Sequence, residues 1–491
     1  MSPSVLLAVV AGYFLLLFVV ARRTARGADN DGFFIGNRSS HWLLVAFGMV
    51  GTSLSGVTFI SVPGAVGATG FTYFQIILGH LVGYLMVAFV LLPIYYRTRV
   101  TSIYHYLGER LGPLSHRTGA GFFILSRTLG ATARLYLVVR ILQDALLAGY
   151  GIPFVVTAAV TVLLILAYTY EGGVKTIVWT DTLQTACMLL GLVVCAAVVL
   201  SQMGISVGES LDRMGEQGLS RMIVTDVNDR HFWLKDFVAG AFIAIAMTGM
   251  DQEMMQKNIS VRTLGGSQKN VVTLSIIMMG VVLLFLYLGG LLHLYAPVVG
   301  LDAAGDRLFP AVALGYLPPL IQVVFIVALI SALFPSADGA LTALTSSFCL
   351  DILGFKDRTD LTEAQAKRIR HAVHLSFAAA FLLLVLAFYW ADNPSMIAVI
   401  LKLASYTYGP LLGLFAFGIF TRRSVRDRWV PAVAIAAPLL CLLLDTYQAQ
   451  IFGAYELGLE LLALNGLLTF AGLWLISAGG PRSAASSLSR G

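Results

Sequence analysis

The sequence predicts an all-α membrane protein that crosses the bilayer about thirteen times. Of its 491 residues 58% are hydrophobic and only 12% are charged, and its mean hydropathy is +0.84. This balance is unlike that of a soluble domain. Apolar stretches recur along the chain, each long enough, at roughly 20 residues, to cross about 30 Å of hydrocarbon as a helix. The predicted spans are 3–21, 43–68, 73–96, 119–147, 153–170, 176–202, 232–257, 270–296, 318–349, 371–390, 394–420, 430–447 and 455–478.

The first span is predicted to be retained rather than cleaved as a signal peptide. No basic residue precedes it, Arg22 and Arg23 follow it, and it has no small-residue cleavage site. Cytoplasmic loops carry an excess of lysine and arginine, which predicts the orientation. If the N-terminus is outside and the C-terminus inside, most of the 32 lysines and arginines lie on the cytoplasmic side. This count includes Lys257, which lies at the end of a span. The cytoplasmic segments are then 22–42, 97–118, 171–175, 258–269, 350–370, 421–429 and the tail.

The net charge of +6 is explained by this asymmetry, so no nucleic-acid partner is expected. Two of the connections between spans are each predicted to contain a helix. The longest external loop, 203–231, is acidic and is predicted to contain a short amphipathic helix and to act as a lid. The cytoplasmic stretch 357–370 is predicted to be a surface helix with Thr362 as its N-terminal cap.

Two spans are predicted to be broken. The seventh carries Gly240 and Gly249 beside the polar run 248–252, and the second is rich in glycine and proline. Because these spans lie five apart, they predict two halves of inverted topology, with a binding site near the middle of the membrane. The alternative is that the glycines only let membrane helices pack closely. The helix-breaking residues of the second span are Gly48, Gly51, Gly56, Pro63, Gly64 and Gly67.

The ninth span contains the most informative segment of the chain. Residues 334–347 include Pro335, the carboxylate of Asp338 and five hydroxyl groups within an apolar stretch. Hydrocarbon satisfies none of these groups, so we expect them to face a protein cavity or an ion. Pro335 has no N–H, which leaves the carbonyl of Ser331 free to coordinate a cation. Asp181 on the sixth span is a candidate to share a cation or a proton with Asp338, or else a residue at the membrane interface or a helix cap.

Five segments resemble the sodium/solute symporter family, which includes sodium-coupled transporters of sugars, proline, sialic acid, iodide and vitamins. They occur in family order across nearly the whole chain. The resemblance implies the leucine-transporter fold, a five-plus-five inverted repeat with flanking helices. The segments are SLSGVTFISVPGA at 53–65, YEGG at 170–173 with WTDTLQ at 179–184, DQEMMQK at 251–257, SADGALTALTSSFCLD at 336–351 and SYTYGPLLG at 405–413.

The resemblance also implies a division of the chain into five parts. Residues 1–42 would hold the first span and its cytoplasmic loop, and 204–231 would form the external loop. The two inverted repeats would be 43–203, with spans 2 to 6, and 232–420, with spans 7 to 11. Residues 421–491 would add two further spans and a short tail.

The family's principal sodium site implies ligands at the break of span 2 and on span 9. In this sequence the corresponding residues are Gly51, Leu54, Ala332, Pro335 and Ser336. Pro335 departs from the pattern, because relatives often have a serine there, so one hydroxyl ligand is absent.

Some relatives have a second sodium site, which would here involve Asp181. Asp338 and Gly339 occupy its hydroxyl positions on span 9. The expected cofactor is therefore one sodium ion, and a second ion or a proton at Asp181 and Asp338 is an open alternative.

The family register places the solute between spans 2, 3, 4, 7 and 11. His80 is alternatively a hydrogen-bonded packing residue, and Lys402 alternatively extends its amine to the membrane surface. The implied candidates outside span 4 are Ser53, Thr58, Tyr73, Phe74, His80, Asp251, Gln252, Lys402 and Tyr406.

Span 4 contributes three arginines to the prediction. Arg127 and Arg134 share one helix face, and Arg140 is expected to pair with Asp144 four residues on. Arg134 lies near the middle of the span and needs a counter-charge, either an internal carboxylate such as Asp251 or Asp181, or the carboxylate of a solute. This favours an anionic solute over a neutral one.

The sequence thus predicts a multi-pass protein of a bacterial inner (plasma) membrane that imports a small organic solute with sodium by alternating access. The favoured solute is a sugar acid, such as sialic acid, or a monocarboxylate. The alternatives are sodium- or proton-coupled import of a neutral sugar, polyol or amino acid, and a passive channel or transporter-like sensor. An enzyme is not expected, because no catalytic set of residues converges. Solute, sodium and the lipid bilayer are the expected partners, and no protein partner is inferred.

Overall fold

The computed structural model describes residues 3–24, 34, 38–355, 358, 360–391 and 396–478. These residues are mostly helical, with one short antiparallel sheet of β1 (Ser424–Val425) and β2 (Ser477–Ala478). The helices up to the external loop are α1 Pro3–Thr24, α2 Trp42–Ser53, α3 Gly56–Thr69, α4 Tyr73–Met86, α5 Leu92–Thr98, α6 His105–Arg110, α7 Pro113–Leu142, α8 Phe154–Met203 and α9 Val207–Glu216. The later helices are α10 Trp233–Ala244, α11 Gln252–Ile259, α12 Leu264–Val298, α13 Leu308–Gly315, α14 Pro319–Ser347, α15 Glu363–Ala391, α16 Met396–Thr407, α17 Gly409–Phe420, α18 Val430–Thr446, α19 Gln448–Phe452 and α20 Leu461–Leu475.

Among the described residues, eight helices are long and apolar enough to cross a membrane, and counting three bent pairs as single spans gives eleven. Two shorter apolar helices, Phe154–Ala167 and Leu461–Leu475, coincide with two further predicted spans. Each predicted span therefore overlaps a helix. The number thirteen, the orientation and the division into repeats stay predictions.

The two predicted breaks are confirmed. The axis bends by 56° between α2 and α3, and by 64° where the helix ending at Gly249 meets α11. A third bend, of 42° between α16 and α17, was not predicted from the sequence, and it flanks Tyr408. Pro410, near the start of α17, cannot donate a backbone hydrogen bond to the preceding turn, which accounts for the interruption.

The predicted loop at 171–175 is wrong, because the backbone is helical without interruption from Phe154 to Met203. The segment contains no proline, and two glycines weaken a helix without ending it. The predicted surface helix at 357–370 instead begins at Glu363 and continues into α15. Thr362 does cap it, accepting a hydrogen bond from the Gln365 N–H at 3.3 Å. Residues 356, 357 and 359 lie outside the described residues.

The external loop contains the predicted short helix, α9, with Ser206 as its cap.

The helices around the candidate functional site are in close contact with one another. A Cβ atom added to Gly79 on α4 would collide with the carbonyl of Phe237 on α10, and one added to Gly240 would collide with that of Ile76. Small residues thus bring α4 and α10 into backbone contact, while α14 packs against α7 and α8.

Candidate functional site

Three helices meet at the break between α2 and α3. The Gly51 N–H donates to the Thr185 hydroxyl of α8 at 3.1 Å. A Cβ atom built on Gly51 would lie 3.5 Å from Cγ of Pro335 on α14. Leu54, at the end of α2, is buried, as are Ala332 and Ser336 on α14. The predicted sodium ligands therefore lie on the two helices, α2 and α14, that meet at this junction.

The break leaves backbone carbonyls without hydrogen bonds. No backbone N–H of the described residues donates to the carbonyl of Gly51 or of Leu54, because the helix is interrupted between Ser53 and Gly56. On α14, Pro335 offers no N–H to the carbonyl of Ser331, which is fully buried. Buried carbonyls without donors are costly, and an alkali cation satisfies them.

Five charged side chains form a buried group that we call the ionic cluster: Arg127 on α7, Asp181 on α8, and Asp251, Glu253 and Lys257 at the start of and within α11. No side chain of the cluster is more than 5% exposed. Lys257, which the sequence analysis counted as a cytoplasmic charge, is therefore a buried residue. Asp181 is completely buried as well, which excludes the interface alternative.

Glu253 links the two cations of the cluster. It accepts a hydrogen bond from Arg127, and its other oxygen lies 3.4 Å from the Nζ of Lys257. Lys257 in turn donates to Asp181 at 2.7 Å and to the hydroxyl of Thr52 at 2.7 Å. The cluster thereby connects α2, α7, α8 and α11 through charge-assisted hydrogen bonds.

Asp251 stabilises the break itself. One of its oxygens accepts from the N–H groups of Glu253 at 2.9 Å and Met254 at 3.2 Å, which caps the start of α11. The other oxygen accepts the Tyr408 hydroxyl at 2.6 Å and lies 3.8 Å from Arg127. Asp251 therefore has structural partners and does not line the cavity described next.

A cavity of about 100 Å³ lies beside the α2–α3 break. Its lining includes five of the predicted solute residues: Ser53, Thr58, Tyr73, His80 and Arg134. Both ring nitrogens of His80 and the hydroxyl of Ser53 are buried and have no hydrogen-bond partner among the described residues. The cavity thus presents several polar atoms that a small molecule can satisfy. Its lining also contains residues that the sequence analysis missed, among them Thr248, Tyr84, Met247 and Met254.

Five predicted solute residues do not line this cavity. Gln252 accepts from the N–H of Ile103 and donates to the carbonyl of Thr101, both at 3.0 Å, so it secures the α11 end to a loop. Lys402 and Tyr406 both bind Asp445, at 2.8 and 2.6 Å. The others that lie away from it are Asp251 and Phe74.

Lys402 and Asp445 line a separate vestibule of about 900 Å³. The cavity and the vestibule share the side chains of Tyr73, Ile76 and Leu401, so these residues stand between the two spaces. Ile397 completes this shared wall. A solute entering the cavity from the vestibule would pass these four residues.

Arg134 is the exceptional cation of the site. It is half-buried, lines the cavity and forms no ion pair with any of the described residues. Asp251 and Glu253 pair with Arg127, and Asp181 pairs with Lys257. A carboxylate partner for Arg134 therefore stays a prediction. Arg140 pairs with Asp144 at 3.9 Å, as predicted.

Comparison with known proteins identifies the family. The model of the sodium:solute symporter family matches residues 33–427. The chain belongs to this family. As the name of the family states, its members carry a solute together with sodium.

Among curated relatives, the sodium/sialic acid symporter SiaT of Proteus mirabilis is 23% identical, with 90% of each chain covered. The sodium-coupled monocarboxylate transporter 2 of Danio rerio is 27% identical over 83% of this chain and 67% of its own. The sodium-dependent multivitamin transporter of Oryctolagus cuniculus is 25% identical over 79% of this chain, which spans only 61% of that transporter.

A solved structure of a Na+-coupled sialic acid symporter in its substrate-bound outward-open state has a TM-score of 0.83 at 20% identity. It covers 96% of this chain and 97% of its own. This similarity establishes the fold, which is the predicted leucine-transporter fold.

Proposed function

We propose that the protein imports a small organic anion together with sodium, and that Arg134 binds the carboxylate of the solute. The observation that carries the proposal is the guanidinium of Arg134, which lines the cavity without a carboxylate partner among the described residues. A cation held in a partly dehydrated site is costly unless a counter-charge joins it. A carboxylate matches the planar donors of arginine in two parallel hydrogen bonds.

The size of the cavity favours a compact acid. An apolar cavity of roughly 150 Å³ holds benzene, and the cavity here is about 100 Å³. A short monocarboxylate fits such a space, with Ser53, Thr58, Tyr73 and His80 available to its polar atoms. A sugar acid would need the shared wall to open so that part of the molecule occupies the vestibule. A neutral sugar would leave Arg134 without a counter-charge.

Sodium would bind where the helices are interrupted. The carbonyls of Gly51 and Leu54 without backbone donors, the carbonyls of Ser331 and Ala332, and the hydroxyl of Ser336 supply oxygen ligands of the kind that suits a hard cation. An ion at this position would hold the α2–α3 break against α14, next to the cavity. Solute binding would then be coupled to ion binding through the same break.

If the N-terminus is outside, as the loop charges predict, the vestibule would open to the exterior and the opposite end would be closed. At that end Asp351 accepts hydrogen bonds from Ser102 at 2.8 Å and Ser347 at 2.6 Å, and lies 2.8 Å from His116. Alternating access would separate these groups and close the shared wall.

Each sodium moved inward gains about 2.3 kcal/mol per 100 mV of membrane potential. The location we propose is a bacterial plasma membrane.

The proposal is tested by comparing acids with their uncharged amides. Purified protein would be titrated with lactate, pyruvate, a sugar acid and the matching amides, in sodium and in choline chloride, while its thermal stability is recorded. We expect an acid to stabilise the protein in sodium and its amide to have at least a tenfold weaker effect. Equal stabilisation by an acid and its amide, or by a neutral sugar, would contradict a carboxylate at Arg134.

A further inference from the structure

The ammonium group of Lys257 joins four helices at the centre of the bundle. It donates to Thr52 on α2 and to Asp181 on α8, both at 2.7 Å, and lies 3.4 Å from Glu253 on its own helix. The fourth contact is with α14, where a Cβ atom added to Gly339 would lie 3.1 Å from Nζ. A larger residue at this position would collide with the carboxylate of Glu253 and crowd the ammonium group.

The surroundings of this group are those of a site for a small monovalent cation. Carboxylate oxygens of Asp181 and Glu253 and a hydroxyl oxygen of Thr52 point at one centre, and the carboxylate of Asp338 adds electrostatic attraction. The second oxygen of Asp181 is buried and has no hydrogen-bond partner among the described residues. Such an oxygen is costly to bury and is available to a cation that sits beside it.

We propose that Lys257 is a tethered cation, filling a site that would otherwise bind a free sodium ion. The lysine holds α2, α8 and α14 around the break whatever the sodium concentration, and it loses no translational freedom when it does so. The protein then binds one exchangeable sodium, at the α2–α14 junction. This stoichiometry rests on the proposed function, whereas the site itself does not.

Removing the side chain creates the test. In Lys257→Ala the carboxylates of Asp181 and Glu253 lose their ammonium, and the space of the lysine side chain becomes accessible to an ion. Sodium would then bind at two places. Ligand binding to the folded state stabilises it in proportion to the logarithm of the ligand concentration, with a slope set by the number of ions bound.

The experiment measures unfolding of the purified protein as sodium replaces N-methylglucamine at constant ionic strength, with no solute present. We expect a slope of one ion for the wild type and two for Lys257→Ala. Methylammonium should restore part of the lost stability only in that variant. The double variant Lys257→Ala/Asp181→Asn should return to a slope of one.

A folded Lys257→Ala protein with the wild-type slope and no response to methylammonium would overturn the proposal. So would a Lys257→Ala protein that fails to fold even in high sodium while the double variant folds, because sodium should rescue a vacated cation site. Since the measurement uses no solute, its failure is distinguishable from failure of the anion assignment.

Discussion

Arg134→Gln is expected to lower sodium-dependent binding and uptake of the organic acid by at least a hundredfold. Removing one partner of a buried ion pair costs about 3–5 kcal/mol, and every 1.4 kcal/mol corresponds to about tenfold in affinity. Glutamine keeps the polarity of the cavity but supplies neither the charge nor the planar pair of donors. Uptake of labelled acid into proteoliposomes, and its binding to the purified protein, measure the effect.

Arg140→Gln is the matched control on the same helix. Arg140 pairs at 3.9 Å with Asp144, whose side chain is 69% exposed, and it does not line the cavity. An exposed pair of this kind contributes about 0–1 kcal/mol, so uptake should stay within about twofold of the wild type. If the Arg134→Gln variant transported the acid at the wild-type rate, the proposal that the solute is an anion would be contradicted.

Glu253→Ala is expected to cause the largest loss of stability of any single change in the ionic cluster. Glu253 is fully buried and contacts both Arg127 and Lys257. Its removal leaves two buried cations short of a counter-charge, which costs about 3–5 kcal/mol. We expect a thermal midpoint in detergent lower by many degrees, together with reduced yield of folded protein.

Glu209→Ala tests whether this loss comes from burial. Glu209 forms an ion pair with Arg213 at 2.6 Å, but each side chain is 47% exposed. Such a pair contributes less than about 1 kcal/mol to stability, so the thermal midpoint of the Glu209→Ala protein should barely change. If the two variants were equally stable, the ionic cluster would not support the bundle in the way that its geometry indicates.

The fold could be predicted from the sequence because hydropathy and helix-breaking residues are local signals. Glycines and a proline in span 2 predicted the first break, and Gly249 beside Asp251 predicted the second. The third break, at Tyr408, had a comparable signal in Gly409 and Pro410 that was not used. The helical 171–175 segment could not be predicted, since its two glycines are compatible with either a loop or a helix.

Contacts in the candidate site could be predicted from the sequence where the two partners lie on one helix, and could not where they lie on different helices. Helix register alone placed Arg134 and Arg127 on one face, but only the three-dimensional packing determines which of them meets Glu253. Lys257 was assigned to the membrane surface because it ends an apolar stretch, and the bend before α11 instead carries it into the core. Its spacing of four residues from Glu253 was a usable signal.

The sodium-coupled import of an organic anion is tested most directly by accumulation in proteoliposomes under an imposed sodium gradient. Wild type, Ser336→Ala and the control Ser376→Ala would be compared, since Ser336 is buried near the helix break and Ser376 is exposed on α15. We predict that the wild type and Ser376→Ala concentrate the acid above its external level only with the sodium gradient, and that Ser336→Ala does so at least tenfold less. Accumulation driven by a proton gradient without sodium, or equilibration without accumulation, would contradict the account.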